Sequence, residues 1–204
     1  VCDEADKRRA TIMQFNPDGS GGRIFAKGLR NSVGFVWQPK TKEIWATDNG
    51  RDQIGDDLPP EEINIVREGR NYGWPICYGN KIHDTDFDKR VYVRNPCEDT
   101  EAPAVQLPAH TAPLGLRFAS DGNLFVALHG SWNRTYPVGY KVVKISFKNG
   151  KPEVSDFIWG WLSEEASSKP LGRAASQFVS GRPVDIIFEP SSSSGSTLSG
   201  VERV

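Results

Sequence analysis

One recurring unit limits what this chain can fold into. Residues 31–39, 112–119 and 182–190 read as three copies of a short strand that opens on a polar or small residue and carries Phe35, Leu116 or Ile186 near its middle. The first two copies pass through a turn into a second apolar segment, at 43–47 and 123–128, and then into a polar loop. Strand, tight turn, strand and loop is the signature of antiparallel β structure. Asp18-Gly19 and Asn149-Gly150 mark further hairpins, because both dipeptides tolerate the positive φ of tight turns. They join 10–15 to 24–26 and 141–147 to 154–159. A unit repeated in this way predicts an all-β fold by radial repetition, a β-propeller, with a β-sandwich as the alternative. The distance from Gly34 to Gly115 leaves room for an intervening blade built from 62–66 and the stretch near 91–93. That gives about three blades plus part of a fourth.

Composition narrows the function. The 204 residues carry 25 basic and 26 acidic side chains for a net charge of −1, so nucleic acid and anionic membrane surfaces are not expected partners. No apolar run reaches the roughly 18–20 residues that span a bilayer. The 20 glycines and 14 prolines favour turns and strands over long helices. Met13 is the single methionine and the chain opens on Val1-Cys2, which reads as a mature or truncated product. Residues 161–177 are expected to form a surface insertion with a weakly helical patch at 163–167. Residues 1–190 are expected to form the partial propeller, and 191–204, rich in serine, a disordered or foreign tail.

Loop 48–62 gathers Asp52, Asp56, Asp57, Glu61 and Glu62 around Gly50. Oxygen donors at that density suit a hard cation such as calcium, although a solvated acidic loop has the same composition. Arg30-Asn31 and Arg182 open two of the repeat units. A guanidinium there could grip a planar carboxylate through paired hydrogen bonds, or simply tie loop carbonyls. Cys77 and Cys97 enclose a polar loop without the second cysteine pair of a zinc site. They form either a disulfide, which would imply an oxidising compartment, or two reduced thiols beside Cys2. His83, His110 and His129 make no metal pattern. His129, at the end of the 124–128 strand, is the best functional candidate. Asn133-Arg134-Thr135 matches a glycosylation sequon of low specificity.

Several motifs then occur in one order: Gly28-Leu29-Arg30-Asn31, Thr47-Asp48-Asn49-Gly50, Glu61-Glu62-Ile63-Asn64 and Asn71-Tyr72-Gly73-Trp74-Pro75, followed by Ala112-Pro113-Leu114-Gly115, Leu128-His129-Gly130 and Gly181-Arg182-Pro183. The series resembles the soluble glucose/sorbosone dehydrogenase family, six-bladed propellers that use pyrroloquinoline quinone (PQQ), and is closest to the C-terminal portion of its sorbosone-dehydrogenase-like branch. Cys77 and Cys97 also find natural places in that branch. The resemblance implies that Arg30, Asn31, His129 and Arg182 contact PQQ, and that the Gly50 and Arg51 carbonyls hold calcium. It places Glu61 and Tyr72 near a second, structural or lining metal position. Three positions depart from the family pattern: Arg51 stands where proline is common, His129 where a cofactor-binding lysine occurs, and Val184 where a second arginine would be. The family's general-base histidine would lie upstream, so no catalytic residue is assigned within this chain. The implied activity is oxidation of an aldose or sorbosone by hydride transfer to calcium-bound PQQ, in the periplasm or outside the cell, with the electron acceptor unspecified. A calcium-dependent lactonase and a non-catalytic carbohydrate-binding or scaffold propeller are the alternatives.

Overall fold

The computed structural model describes residues 2, 4–168, 170 and 179–189. In chain order the strands are β1 (Thr11–Gln14), β2 (Arg23–Lys27), β3 (Phe35–Trp37), β4 (Ile44–Asp48), β5 (Glu61–Val66), β6 (Cys77–Tyr78), β7 (Ile82–His83), β8 (Val105–Leu107), β9 (Pro113–Phe118), β10 (Leu124–Leu128), β11 (Lys141–Lys148) and β12 (Lys151–Ile158); one short helix, α1 (Glu164–Ser167), follows. Two four-stranded antiparallel sheets, β3-β4-β5-β8 and β9-β10-β11-β12, are flanked by the two-stranded pairs β1-β2 and β6-β7. Turn chemistry sets the hairpins. Asn149 and Gly150, both at positive φ (52° and 75°), close β11 onto β12, and Gly19 (φ 83°) turns β1 towards β2.

The core lies between the two larger sheets. Trp45, Ile63, Val105 and Leu107 of the first meet Leu116, Leu124, Val126, Leu128, Val143 and Ile145 of the second. The Trp45 ring meets Phe118 and Phe147 edge-on, each at 5.5 Å. Behind the first sheet, Ala26 of β2 and Leu29 pack on Ala46, Val66 and Tyr72. Behind the second, Phe125, Ala127 and Val142 pack on Ile186, with Phe188 against them. The sheets approach closely at Gly34, where a Cβ would come within 2.3 Å of the Leu114 carbonyl oxygen. Only a residue without a side chain permits that contact.

Most strand expectations hold in order and type, with corrections at residues 62–66, 91–93 and 182–189. Residues 62–66 do not start a separate blade. β5 pairs with β4 in the same sheet, with Asp48 opposite Glu62 and Ile44 opposite Val66. Residues 91–93 form no strand, and Val91 and Val93 are fully exposed. The segment between β5 and β8 is instead a loop region carrying the small β6-β7 hairpin and closed by a Cys77–Cys97 disulfide. Among the described residues the chain therefore forms two four-stranded sheets and two two-stranded pairs, β1-β2 and β6-β7. The third repeat copy lies beside β9, where the Gly115 N–H donates to the Val184 carbonyl at 2.8 Å, but residues 182–189 form no strand. The helical patch expected at 163–167 is α1, capped by the Ser163 side chain. The expected tail at 191–204 and most of 169–178 lie outside the described residues. No helix among the described residues is long and apolar enough to cross a membrane.

Candidate cofactor and cation site

The ends of β4, β5, β9 and β10 bring the family motifs together at one end of the two sheets. Thr47 and Asp48 finish β4 and Asn49 follows, a run of buried polar residues, each reaching a different neighbour. Thr47 Oγ1 donates to the Leu114 carbonyl at 2.9 Å, and Asn49 Nδ2 donates to the Pro113 carbonyl at 3.3 Å, stitching the first sheet to the second. Asp48 turns the other way. Its carboxylate accepts the Arg30 N–H at 2.9 Å, the Asn31 N–H at 2.6 Å and the Ser32 hydroxyl at 3.2 Å.

Arg30 then folds back. Its Nη1 donates to the carbonyls of Asn49 (3.0 Å) and Gly50 (2.7 Å), its Nη2 lies 3.6 Å from Asp52, and the guanidinium sits 5.6 Å over the Trp74 ring. Asn31 is exposed and its carbonyl is held by the Asn49 N–H at 3.1 Å. Glu61 is buried at the hub. Its Oε2 accepts the Gly50 N–H at 2.6 Å and its Oε1 accepts the Ala112 N–H at 3.2 Å. The Ala112 carbonyl in turn accepts the His129 N–H at 2.9 Å, and the carbonyl of the next residue, Gly130, accepts Arg182 Nη1 at 3.0 Å. Arg30, Gly50, Glu61, His129 and Arg182 are thus joined by one path of hydrogen bonds across both sheets.

The other expected residues face elsewhere. The Arg51 side chain is buried against the disulfide-closed loop, bonded to Asp84 at 3.0 Å and Asp86 at 2.6 Å. The Tyr72 hydroxyl donates to the Ile65 carbonyl at 2.6 Å and accepts the Arg67 N–H at 2.9 Å, so its ring is a core element. Arg182 also stacks on Tyr140, with its guanidinium carbon 4.8 Å from the ring centroid. His129 Nδ1 faces the Pro183 carbonyl at 3.3 Å. A carbonyl only accepts, so the neutral ring carries its proton on Nδ1 and leaves Nε2 as an acceptor.

The acidic loop does not converge on one point. Asp52 accepts Asn133 Nδ2 at 2.9 Å, Asp56 accepts the Thr135 N–H at 3.1 Å, and Asp57 pairs with Arg134 at 2.8 Å. Each of those carboxylates is satisfied by a donor from the 133–135 segment, and among the described residues no group of three or more His, Cys, Asp or Glu is arranged to hold a metal. The sequon asparagine is itself engaged, since the Nδ2 that would carry a glycan is the atom bonded to Asp52.

Electrostatics sets the β4–β5 end apart. Burial raises the carboxyl of Asp48 to about 7, with Glu62 adding repulsion, and burial likewise raises Glu61 to about 7 against the backbone donors of Gly50 and Ala112. Glu62 is also pushed up by burial. The His129 imidazole is lowered by burial, and so is neutral at pH 7. A small cavity of about 20 Å³ lies among Arg30, Asp48, Asn49, Gly50, Arg51 and Glu62. Asn49 Oδ1 is buried and finds no hydrogen-bond partner among the described residues. The carbonyl and carboxylate oxygens here are hard donors. The Arg30 and Arg51 side chains line the same cavity, however, and the Gly50 carbonyl is already taken by Arg30, so among the described residues the oxygens are not gathered around a cation. The two arginines, each with N–H groups beyond those bonded to carbonyls, fit a ligand bearing carboxylates.

Asp48, Asp84 and Tyr140 are absent from the sequence-level candidates. Asp48 carried a weak signal as the polar end of an apolar strand, whereas the pairing of Asp84 with Arg51 and of Tyr140 with Arg182 had none.

Fold and site together define a mostly β protein of propeller-like sheets, with a polar end whose two arginines suit an anionic ligand. Residues 4–158 match the TrAA12-like family model, and the chain belongs to that family, a family of soluble PQQ-dependent sugar dehydrogenase-like proteins. An uncharacterised protein of Borreliella burgdorferi is 36% identical over 194 residues, covering 89% of this chain and 47% of the relative. The pyrroloquinoline quinone-dependent pyranose dehydrogenase of Coprinopsis cinerea is 33% identical over 156 residues, covering 61% of this chain and 21% of that enzyme. Among solved structures, the calcium structure of a Trichoderma reesei enzyme of carbohydrate-active enzyme family AA12 superposes with a TM-score of 0.62 at 26% identity, over 82% of this chain and 49% of that one. The holo PQQ domain of the Coprinopsis cinerea pyranose dehydrogenase gives a TM-score of 0.60 at 25% identity, over 95% and 61%. The chain spans about half the length of the first of these relatives.

Proposed function

We propose that this chain supplies the cofactor-holding part of a quinoprotein oxidoreductase that oxidises an aldose-type sugar with PQQ bound beside calcium. The observation that supports it most is the hydrogen-bond path from Arg30 through Gly50, Glu61 and Ala112 to His129 and Arg182, which joins the family motifs at one end of both sheets. In this reading Arg30, Asn31, His129 and Arg182 face PQQ. The Gly50 and Arg51 carbonyls hold calcium, with Glu61 and Tyr72 behind them. Bound PQQ supplies the two-electron, hydride-accepting chemistry, with calcium polarising its carbonyl.

The chain's own residues bind and orient. Arg30 and Arg182 grip carboxylates through paired N–H donors, and neutral His129 offers Nε2 without adding charge. No residue here is assigned to remove the sugar hydroxyl proton. Residues 1–190 are read as part of a six-bladed propeller, and the disulfide fits a periplasmic or secreted setting.

The test is a PQQ titration of the chain followed by absorbance, with calcium and then with a chelator. Saturable, calcium-dependent binding that weakens about tenfold or more in Arg30→Ala is expected, the loss of a charged hydrogen-bonding partner being of that order. Binding indifferent to both calcium and Arg30 would exclude this site.

A further inference from the structure

We infer that Asp48 is a positioning residue: its buried carboxylate fixes the Arg30–Asn31 turn, and so sets where these two side chains meet an anionic ligand. The inference rests on the function proposed above. The Asp48 oxygens receive three donors from three consecutive residues, the N–H groups of Arg30 (2.9 Å) and Asn31 (2.6 Å) and the Ser32 hydroxyl (3.2 Å). The neighbouring Asn49 holds the Asn31 carbonyl from the other side, through its N–H at 3.1 Å and its Nδ2 at 3.2 Å. The turn before β3 is therefore clamped on both its donor and its acceptor groups by Asp48 at the end of β4 and Asn49 just after it.

Stability alone does not account for a carboxylate here. Asp48 is only 6% exposed, no cationic side chain pairs with it among the described residues, and Glu62 is its register partner. A buried charge with a like charge opposite costs stability. What the carboxylate offers is geometry. When ionised it accepts at both oxygens and donates at neither, whereas an asparagine would turn an NH₂ towards one of the backbone N–H groups. A stability cost kept at one defined place is the mark of a residue serving a site.

The test is Asp48→Asn in the same chain, read by calcium-supported PQQ titration, by thermal melting at pH 8 and by amide hydrogen exchange. Positioning predicts PQQ affinity weaker by about tenfold or more, an unchanged or higher melting temperature, and faster exchange at Arg30 and Asn31 while β9–β12 keep their protection. PQQ affinity equal to that of the unsubstituted chain overturns the inference. So does a lower melting temperature with faster exchange throughout, which a merely structural role would give. Should Asp48→Asn not fold, Ser32→Ala removes one of the three donors and is expected to weaken PQQ binding several-fold at unchanged melting temperature; equal affinity there overturns the inference. If the unsubstituted chain takes up no PQQ, the proposed function falls. Asp48 is then judged by exchange alone: faster exchange at Arg30 and Asn31 upholds the clamp, and unchanged exchange removes it.

Discussion

Asp48 and Glu62 stand directly opposite each other in the β4–β5 ladder, both buried, and neither is paired with a cationic side chain among the described residues. Asp48 is held by the Arg30–Ser32 turn, while Glu62 accepts the Gly79 N–H at 2.6 Å and Asn64 Nδ2 at 3.0 Å. The two carboxylates hold different loops from adjacent positions, and their proximity has a cost that depends on pH.

Burial raises Asp48 and Glu61 to about 7, well above the range near 4 of an unfolded carboxyl. The folded chain therefore binds more protons than the unfolded chain between about pH 4 and 7. Unfolding free energy must fall as pH rises through that window and level off above it. Melting followed by circular dichroism without calcium should show a lower midpoint at pH 8 than at pH 5.5. Glu62→Gln, which removes the repulsion, should shrink the difference. A midpoint that rises over the same window would contradict the assignment of these groups.

Glu61 bridges the two sheets through Gly50 and Ala112. Truncation in Glu61→Ala leaves both N–H groups without their acceptor. The expected cost is about 2–4 kcal/mol, measured by urea unfolding. Glu61→Gln, which keeps one accepting oxygen, should lose roughly half as much.

Gly34 lies where the first sheet touches the second. A Cβ added there would come within 2.3 Å of the Leu114 carbonyl oxygen and 3.2 Å of the Gly115 Cα, both backbone atoms. Neither can move without shifting β9. Gly34→Ala should therefore destabilise by about 1–3 kcal/mol or more, whereas Gly122→Ala, in a turn with open space around it, should show only the smaller strain of its positive φ. Equal losses in the two variants would argue against the close approach of the sheets.

The Cys77–Cys97 disulfide closes a loop with a sequence separation of 20. Its removal in a Cys77→Ser/Cys97→Ser double variant should cost roughly 3 kcal/mol by the loop-entropy account. Gly79, whose N–H is held by Glu62, and Asp84, which is bonded to Arg51, both lie inside that loop. Protease nicking between 80 and 96 should therefore accelerate before the two larger sheets open, as limited proteolysis with mass spectrometry would show.

Strand order was legible because it rests on local signals. The Asn149-Gly150 turn, the paired apolar segments at 43–47 and 123–128, and the ordered family motifs all act within a few residues. The same motifs pointed to Arg30, Asn31, Gly50, His129 and Arg182, which the structure gathers at one end of the sheets. Sheet membership was less legible. Nothing in residues 61–66 distinguishes the third strand of one sheet from the first of another, and that choice was made by the register of Asp48 on Glu62 and Ile44 on Val66.

The β class, the hairpins, the disulfide candidates and the family were all written in short stretches of residues, since turn residues and motif order are properties of neighbouring positions. It took the packing of the chain to spread the acidic loop across the 133–135 segment, to make Glu61 join two sheets, and to set Asp48 under the turn at Arg30. Each of those depends on donors between 11 and 81 residues away in the chain. A carboxylate's role is set by the donors that packing brings to it, and linear spacing carries no record of them.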